Sequence, residues 1–248
     1  MLLIGGCVTS QQISNNDITE TATPTATFTP TPTPPDPQTA SFKWEGKNYE
    51  VSWFKVSKPE SLRLIANFQS KLSSSELIEK FACQKGINAG FYDQEDKPLG
   101  IFINDQTNRR NKLDSDLFNG IFYLTNENFV ISEDLPEENI RIALQSGPLL
   151  ISDSKVLPLK IKEDELARRM VVAINEEEII FLSVYNAVSN LQGPYLADLP
   201  KIIEKFSQQS KIKINDALNL DGGSASAFYN ERTSLTEITS VGGFFCVK

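Results

Sequence analysis

Ala217-Leu218-Asn219-Leu220-Asp221-Gly222-Gly223-Ser224 is the stretch on which the reading of this chain turns. It predicts a strand over 216–221 that ends in polar side chains, with glycine following at once. Glycine permits positive φ and close approach of backbone, so successive amide N–H groups can converge on an anionic oxygen. Two further segments repeat the arrangement, Asn88-Ala89-Gly90-Phe91 and Gln145-Ser146-Gly147-Pro148. Each taken singly reads as a turn: Asp-Gly-Gly between apolar runs is a hairpin signal, and Ser-Gly-Pro is a bend. Taken together they can form a phosphate or sugar cradle.

The flanking sequence is rich in strands. Phe42-Lys43-Trp44 and Tyr49-Glu50-Val51-Ser52-Trp53-Phe54 flank Glu45-Gly46-Lys47-Asn48, which predicts a hairpin, and a strand follows over 61–67. Ser73 and Glu76 have capping-box spacing, and Leu77, Ile78 and Phe81 share one helical face, so a helix is expected at 74–83. Short strands are expected at 99–104, 120–125, 128–132 and 140–146, with 104–115 an exposed loop whose Arg109-Arg110 pair is solvated. Residues 168–174 and 178–184 form a second hairpin about Asn175-Glu176-Glu177. Leu196, Leu199, Ile202, Ile203 and Phe206 mark an amphipathic helix over 195–209, with Pro200 near its start and Asp198 as a candidate cap. Strands at 225–229 and 242–247 close the chain. Many strands and two helices predict a single α+β domain with a mixed, mainly antiparallel sheet.

The chain has 248 residues, of which 40% are hydrophobic, enough for one good core. All 24 basic residues and 29 of the 32 acidic ones lie beyond position 40, so that part carries a formal charge of −5. An acidic surface without a basic, aromatic-interleaved groove excludes nucleic acid as the expected partner. Histidine is absent. Ser-His-Asp and Cys-His nucleophiles, His-rich zinc sites and imidazole proton shuttles are thereby excluded. Acid–base work must fall to carboxylates, Lys, Tyr or water, which suits glycosyl transfer. No cluster has metal-ligand spacing, so no cofactor is expected, although acids near Asp221 could hold a divalent ion bridged by phosphate.

Leu3-Ile4-Gly5-Gly6-Cys7 resembles a bacterial lipobox at the end of a secretory signal, with Cys7 the lipidated residue. Residues 8–40 are Thr, Ser, Asn, Gln and Pro, including Thr29-Pro30-Thr31-Pro32-Thr33-Pro34-Pro35, and read as an unfolded, extended tether. The expected organisation is an anchor at 1–7, a linker at 8–40 and a domain at 41–248, held outside the cytoplasm on a bacterial membrane by its lipid alone. With Cys7 assigned to lipid, Cys83 and Cys246 remain, either as a disulfide or as two buried thiols.

Four segments, in order, resemble the phosphodiester glycosidase family: Ile87-Asn88-Ala89-Gly90-Phe91, Leu144-Gln145-Ser146-Gly147-Pro148-Leu149-Leu150, Arg169-Met170-Val171-Val172-Ala173-Ile174, and the run from Ala217 to Ser224. The last is the most specific, and the resemblance covers roughly 85–230. Ala89 stands where the family has glycine, a mild change unless positive φ is needed there. The resemblance implies a hydrolase acting on a sugar-1-phosphodiester of an envelope or exopolysaccharide glycan. Its leaving group is already a phosphate ester with a second pKa of about 6, so departure needs little protonation. In this reading Arg169 holds the phosphate and Asp221 stabilises the oxocarbenium ion or acts as nucleophile or base, with Asn88 the third catalytic-site residue. Asn88, Gln145 and Asn219 bind sugar hydroxyls, and the backbone of Gly147, Gly222, Gly223 and Ser224 meets the substrate. Arg168, next along the strand, faces the other way. Asp93, Asp153 and Asp216 all stand near the motifs as candidates for a second carboxylate. Two other readings are an envelope glycan-binding module without turnover and a structural lipoprotein whose glycines only make turns.

Overall fold

The computed structural model describes residues 38–105, 107–126, 128–137 and 139–248. The lipobox, Cys7 and the linker up to residue 37 lie outside the described residues. In chain order the strands are β1 (Thr39–Trp44), β2 (Lys47–Val56), β3 (Leu62–Ala66), β4 (Lys85–Asn88), β5 (Phe102–Ile103), β6 (Asn108–Arg109), β7 (Gly120–Leu124), β8 (Phe129–Ser132), β9 (Ile142–Ser146), β10 (Leu149–Ser152), β11 (Lys155–Val156), β12 (Arg169–Ile174), β13 (Ile179–Asn186), β14 (Asp216–Asn219), β15 (Phe228–Tyr229), β16 (Ser234–Leu235) and β17 (Gly243–Val247). The two α-helices among the described residues are α1 (Ser74–Phe81) and α2 (Leu199–Ser210). The fold is α+β. Its strands make three antiparallel sheets, ordered β1-β2-β13-β12-β14-β10-β11, β16-β15-β4-β17-β3 and β6-β5-β9-β7-β8.

The first hairpin turns on Glu45 and Gly46 alone, both at positive φ, with Trp44 paired to Lys47. Two consecutive positive-φ residues make the tight turn whose twist matches the strands, so Lys47 and Asn48 belong to β2 rather than the loop. At the other end β1 starts at Thr39, so Thr39 and Ala40 belong to the sheet rather than the linker. Helix α1 carries the expected reciprocal capping box between Ser73 and Glu76. Helix α2 is entered through a 3-10 turn at Leu196–Asp198; Asp198 makes no side-chain cap bond, and Pro200 sits in the first turn, where its missing N–H is unused.

The seven-stranded sheet is the middle layer. Val171 and Ala173 of β12 pack with Ile202, Ile203 and Phe206 of α2 on one face. Met170 and Val172 pack with Phe122, Phe181 and Phe245 between this sheet and the other two. Burial on both faces is why β12 and β13 read as nearly unbroken apolar runs. The strands that escape sequence reading are short, such as β6 inside the expected 104–115 loop and the β10–β11 hairpin about Asp153 and Ser154. The strand expected at 225–229 shrinks to β15, because Gly223–Ala225 turns as a 3-10 segment. Cys83, just after α1, and Cys246 of β17 form a disulfide with Cα atoms 5.3 Å apart.

Candidate active site

The site lies where β12 begins and β14 ends. Val171 pairs with Asn219, Leu220 N donates to Met170 O at 2.8 Å, and Gly223 N donates to Arg168 O at 2.9 Å. This register sets Asp221 across from Arg169. Along the strand, Asn219 and Asp221 share the parity of Ala217, whose side chain packs on the helix side of the sheet. Arg169 shares that of Val171. All three therefore project to one side, just beyond the strand ends, into a cavity of about 220 Å3 that Phe91, Gly147, Glu165, Leu196, Gly222, Gly223 and Ser224 also line. Larger clefts exist, one of about 490 Å3 beside Arg63 and Lys80, but none of them is lined by Arg169, Asn219 or Asp221.

Asp221 is the group whose ionisation is most disturbed. Dehydration at the cavity floor pushes its pKa from 3.8 to about 7, against a smaller opposing effect of the Gly222 amide. Among the described residues no cation forms an ion pair with it. A carboxylate of this kind, in a cleft and near neutrality, is suited to acid, base or nucleophilic work.

Arg169 is buried, not a surface ion-pair residue. Its Nε donates to Pro194 O at 3.1 Å, and its Nη2 donates to Glu165 O and to Asp164 Oδ1 at 3.3 Å. Asp164 is fixed in turn by the Leu196 and Ala197 amides at 3.0 and 2.8 Å. Burial lowers the Arg169 pKa, with Asp164 and Glu165 opposing. Its Nη1 donates to no described residue, which leaves one edge of the fork for an anionic oxygen. Arg168 does face the other way, but inward. Its guanidinium donates to Ser226 Oγ at 2.7 Å and to the carbonyls of Ser226, Thr236 and Asn190. Burial brings its pKa from 12.5 down to about 10.

The carboxamides divide in role. Asn88 does not line the cavity: its Nδ2 donates to Asp221 O at 2.7 Å and its Oδ1 accepts from Ala227 N at 2.8 Å, so it braces the backbone that carries Asp221. Gln145 also stands behind the wall, bonded to Ile101 N and to Leu113 N and O, and donating to Phe118 O at 2.7 Å. Both side chains are consumed by backbone partners and are not free for sugar hydroxyls. Asn219 differs. Its Nδ2 donates to Gly147 O at 2.8 Å, its buried Oδ1 has no hydrogen-bond partner among the described residues, and the residue lines the cavity.

The glycines are packing necessities more than an open amide cradle. A Cβ on Gly147 would meet Leu117 O at 2.1 Å, and one on Gly222 would meet Arg168 O at 2.8 Å. The Gly147 amide donates to Asn219 O at 3.1 Å, the Gly222 amide serves Asp221 and the Gly223 amide serves Arg168 O, so of the expected four only Ser224 keeps its N–H uncommitted. Ala89 is not among the positive-φ residues, so alanine for glycine is mild there. None of Asp93, Asp153 and Asp216 lines the cavity; the second carboxylate that does is Glu165. It sits in Lys162-Glu163-Asp164-Glu165, a charged run that in sequence looks like a solvated face. Among the described residues no group of three or more Cys, Asp and Glu is placed to hold a metal ion.

The family profile described as phosphodiester glycosidase matches residues 81–247. The chain belongs to the phosphodiester glycosidase family. The match to this family of glycosidase-like hydrolases spans every residue that lines the cavity. No curated protein matches the chain by sequence. Among solved structures, the zebrafish N-acetylglucosamine-1-phosphodiester alpha-N-acetylglucosaminidase catalytic domain, described as auto-inhibited by its pro-peptide, superposes with a TM-score of 0.62 at 15% identity, over 84% of this chain and 81% of that one. A hypothetical protein from Synechocystis gives a TM-score of 0.55 at 16% identity, over 85% and 61%. At such identities the two structures show that the phosphodiester glycosidase fold is shared.

Proposed function

We propose that this chain hydrolyses the C1–O bond of a sugar-1-phosphodiester in an envelope or exopolysaccharide glycan, releasing free sugar and a phosphate monoester. The observation that carries the reading is a dehydrated Asp221, pKa about 7, sharing a cavity with the uncommitted edge of Arg169. As the C1–O bond breaks, its electron pair leaves with the phosphate. Water supplies hydroxide to C1, and its proton ends on the monoester or in solvent. Arg169 meets the charge gathering on the departing phosphate, and ionised Asp221 faces the oxocarbenium-like carbon. Asn219 Oδ1 accepts a sugar hydroxyl, which removes its own buried deficit. Glu165 supplies the second carboxylate, at the mouth. Asn88 and Gln145 act as positioning residues from behind.

The Cys83–Cys246 disulfide supports an oxidising, extracytoplasmic setting, in line with a lipid on Cys7. The test is release of free sugar from a panel of sugar-1-phosphodiesters by the full chain, with Asp221→Asn and Arg169→Lys as controls. Turnover that both substitutions reduce by a factor of about 100 or more, in folded protein, is the expected result. A folded wild type that binds the diesters and releases no sugar overturns hydrolysis and leaves a glycan-binding module.

A further inference from the structure

Six large apolar side chains stand exposed among the described residues: Leu117, Leu166, Val188, Leu191, Tyr195 and Ile238. Singly scattered they would mean nothing. Here five of the six lie on segments that border one mouth. Leu117 lines the Asp221 cavity itself, Leu166 lies between the lining residues Glu165 and Ala167, and Tyr195 precedes the lining residue Leu196. Ile238 donates its amide to Ser224 O at 2.7 Å, and Ser224 also lines the cavity. Leu191 follows Asn190, whose carbonyl Arg168 holds beside Ala167. Only Val188, on that same loop, lacks so direct a link.

The cavity volume of about 220 Å3 decides what these side chains face. Pockets that engulf drug-sized ligands run to about 300–1,000 Å3, so this one has room for a single sugar ring. Whatever is esterified to the far side of the phosphate must lie outside, across the mouth. The hydroxyls there, Ser224 and Thr239, already bond each other at 3.2 Å. An apolar chain laid across such a rim would remove exposed leucine, isoleucine and tyrosine surface from water, a gain that a second sugar would not bring. Resting on the hydrolytic reading above, we infer that the alcohol beyond the phosphate is a long apolar one: the substrate class is a lipid-type sugar phosphodiester rather than a diester joining two sugars.

The test uses the full chain and three esters of one sugar-1-phosphate, with methyl, octyl and glucosyl groups, below micelle-forming concentrations. A methylene fully removed from water is worth about fourfold, so about twofold on an open rim, and the seven extra methylenes of the octyl ester should raise its kcat/KM over the methyl ester by roughly 100-fold. The glucosyl ester should show no such gain. Leu166→Ser and Ile238→Ser should erase most of the octyl advantage and leave the methyl ester unchanged. Equal octyl and methyl rates, or a preference for the glucosyl ester, overturn the inference. Calorimetric binding of octyl phosphate against methyl phosphate separates the two claims. If no ester turns over while octyl phosphate binds at least tenfold more tightly, hydrolysis falls and the rim preference stands; equal binding overturns the preference whatever the turnover.

Discussion

Replacing Asp221 with asparagine should remove activity and, at neutral pH and above, make the protein harder to unfold. The carboxyl titrates at about 7 in the folded chain against an ordinary 3.8. An acid whose folded pKa is raised binds its proton more tightly when folded, so its contribution to stability is whole below pH 3.8 and is lost as pH rises to about 7. At about 1.4 kcal/mol per unit the full loss is roughly 4 kcal/mol, and water in the open mouth screens part of it, leaving ~2–4 kcal/mol. The asparagine variant escapes this loss. For a domain of this size that is about 5–10 °C in Tm. Thermal melts of both proteins from pH 4 to pH 8.5 should show the variant's advantage smallest near pH 4, growing to pH 7 and level beyond. A difference in Tm that stays constant across that range would refute the account of Asp221 as a dehydrated carboxyl.

Further outcomes follow from the same geometry. If Asp221 works ionised, kcat/KM for sugar release rises with pH to a plateau, with its inflection near 7 as in the free enzyme; a profile that falls through 7 would make it the proton donor instead. Arg168→Ala leaves the carbonyls of Ser226, Thr236 and Asn190 without their donor, so chemical denaturation should show a loss of about 3–5 kcal/mol. Changing both Cys83 and Cys246 to serine opens a link between residues 163 apart in sequence, and unfolding with and without reductant should show a loss of about 2–5 kcal/mol in the wild type only.

What sequence made legible was local chemistry. The Ser73–Glu76 capping box holds its expected geometry, and the first hairpin turns inside the expected Glu45–Asn48 connection though over Glu45 and Gly46 alone, because neighbouring residues decide both. Two-residue strands such as β6 and β11 are too short to carry a periodicity of their own and exist only through the strands they pair with. At the site, the motifs led to Asp221, Arg169 and Asn219, which do share a cavity. Carboxamide direction was not legible: Asn88 and Gln145 have the same chemistry as Asn219, and only tertiary structure aims them at backbone. Glu165 was hidden in a charged run for the opposite reason, since exposure is the rule for such residues. Strand parity placed Arg168 away from Arg169 but could not reveal that it is buried among carbonyls.

That buried arginine bears on how such an enzyme could change over evolutionary time. Through three carbonyls it pins the backbone at Asn190, Ser226 and Thr236, while the side chains those segments turn outward, Leu191 and Ile238 among them, carry little of the stability. Substitutions at such outward positions usually shift stability by no more than about 0.5 kcal/mol. The mouth can therefore be repainted residue by residue for new aglycones while Arg168 keeps its outline, so descendants of one chain could diverge in what they accept without passing through unfolded intermediates.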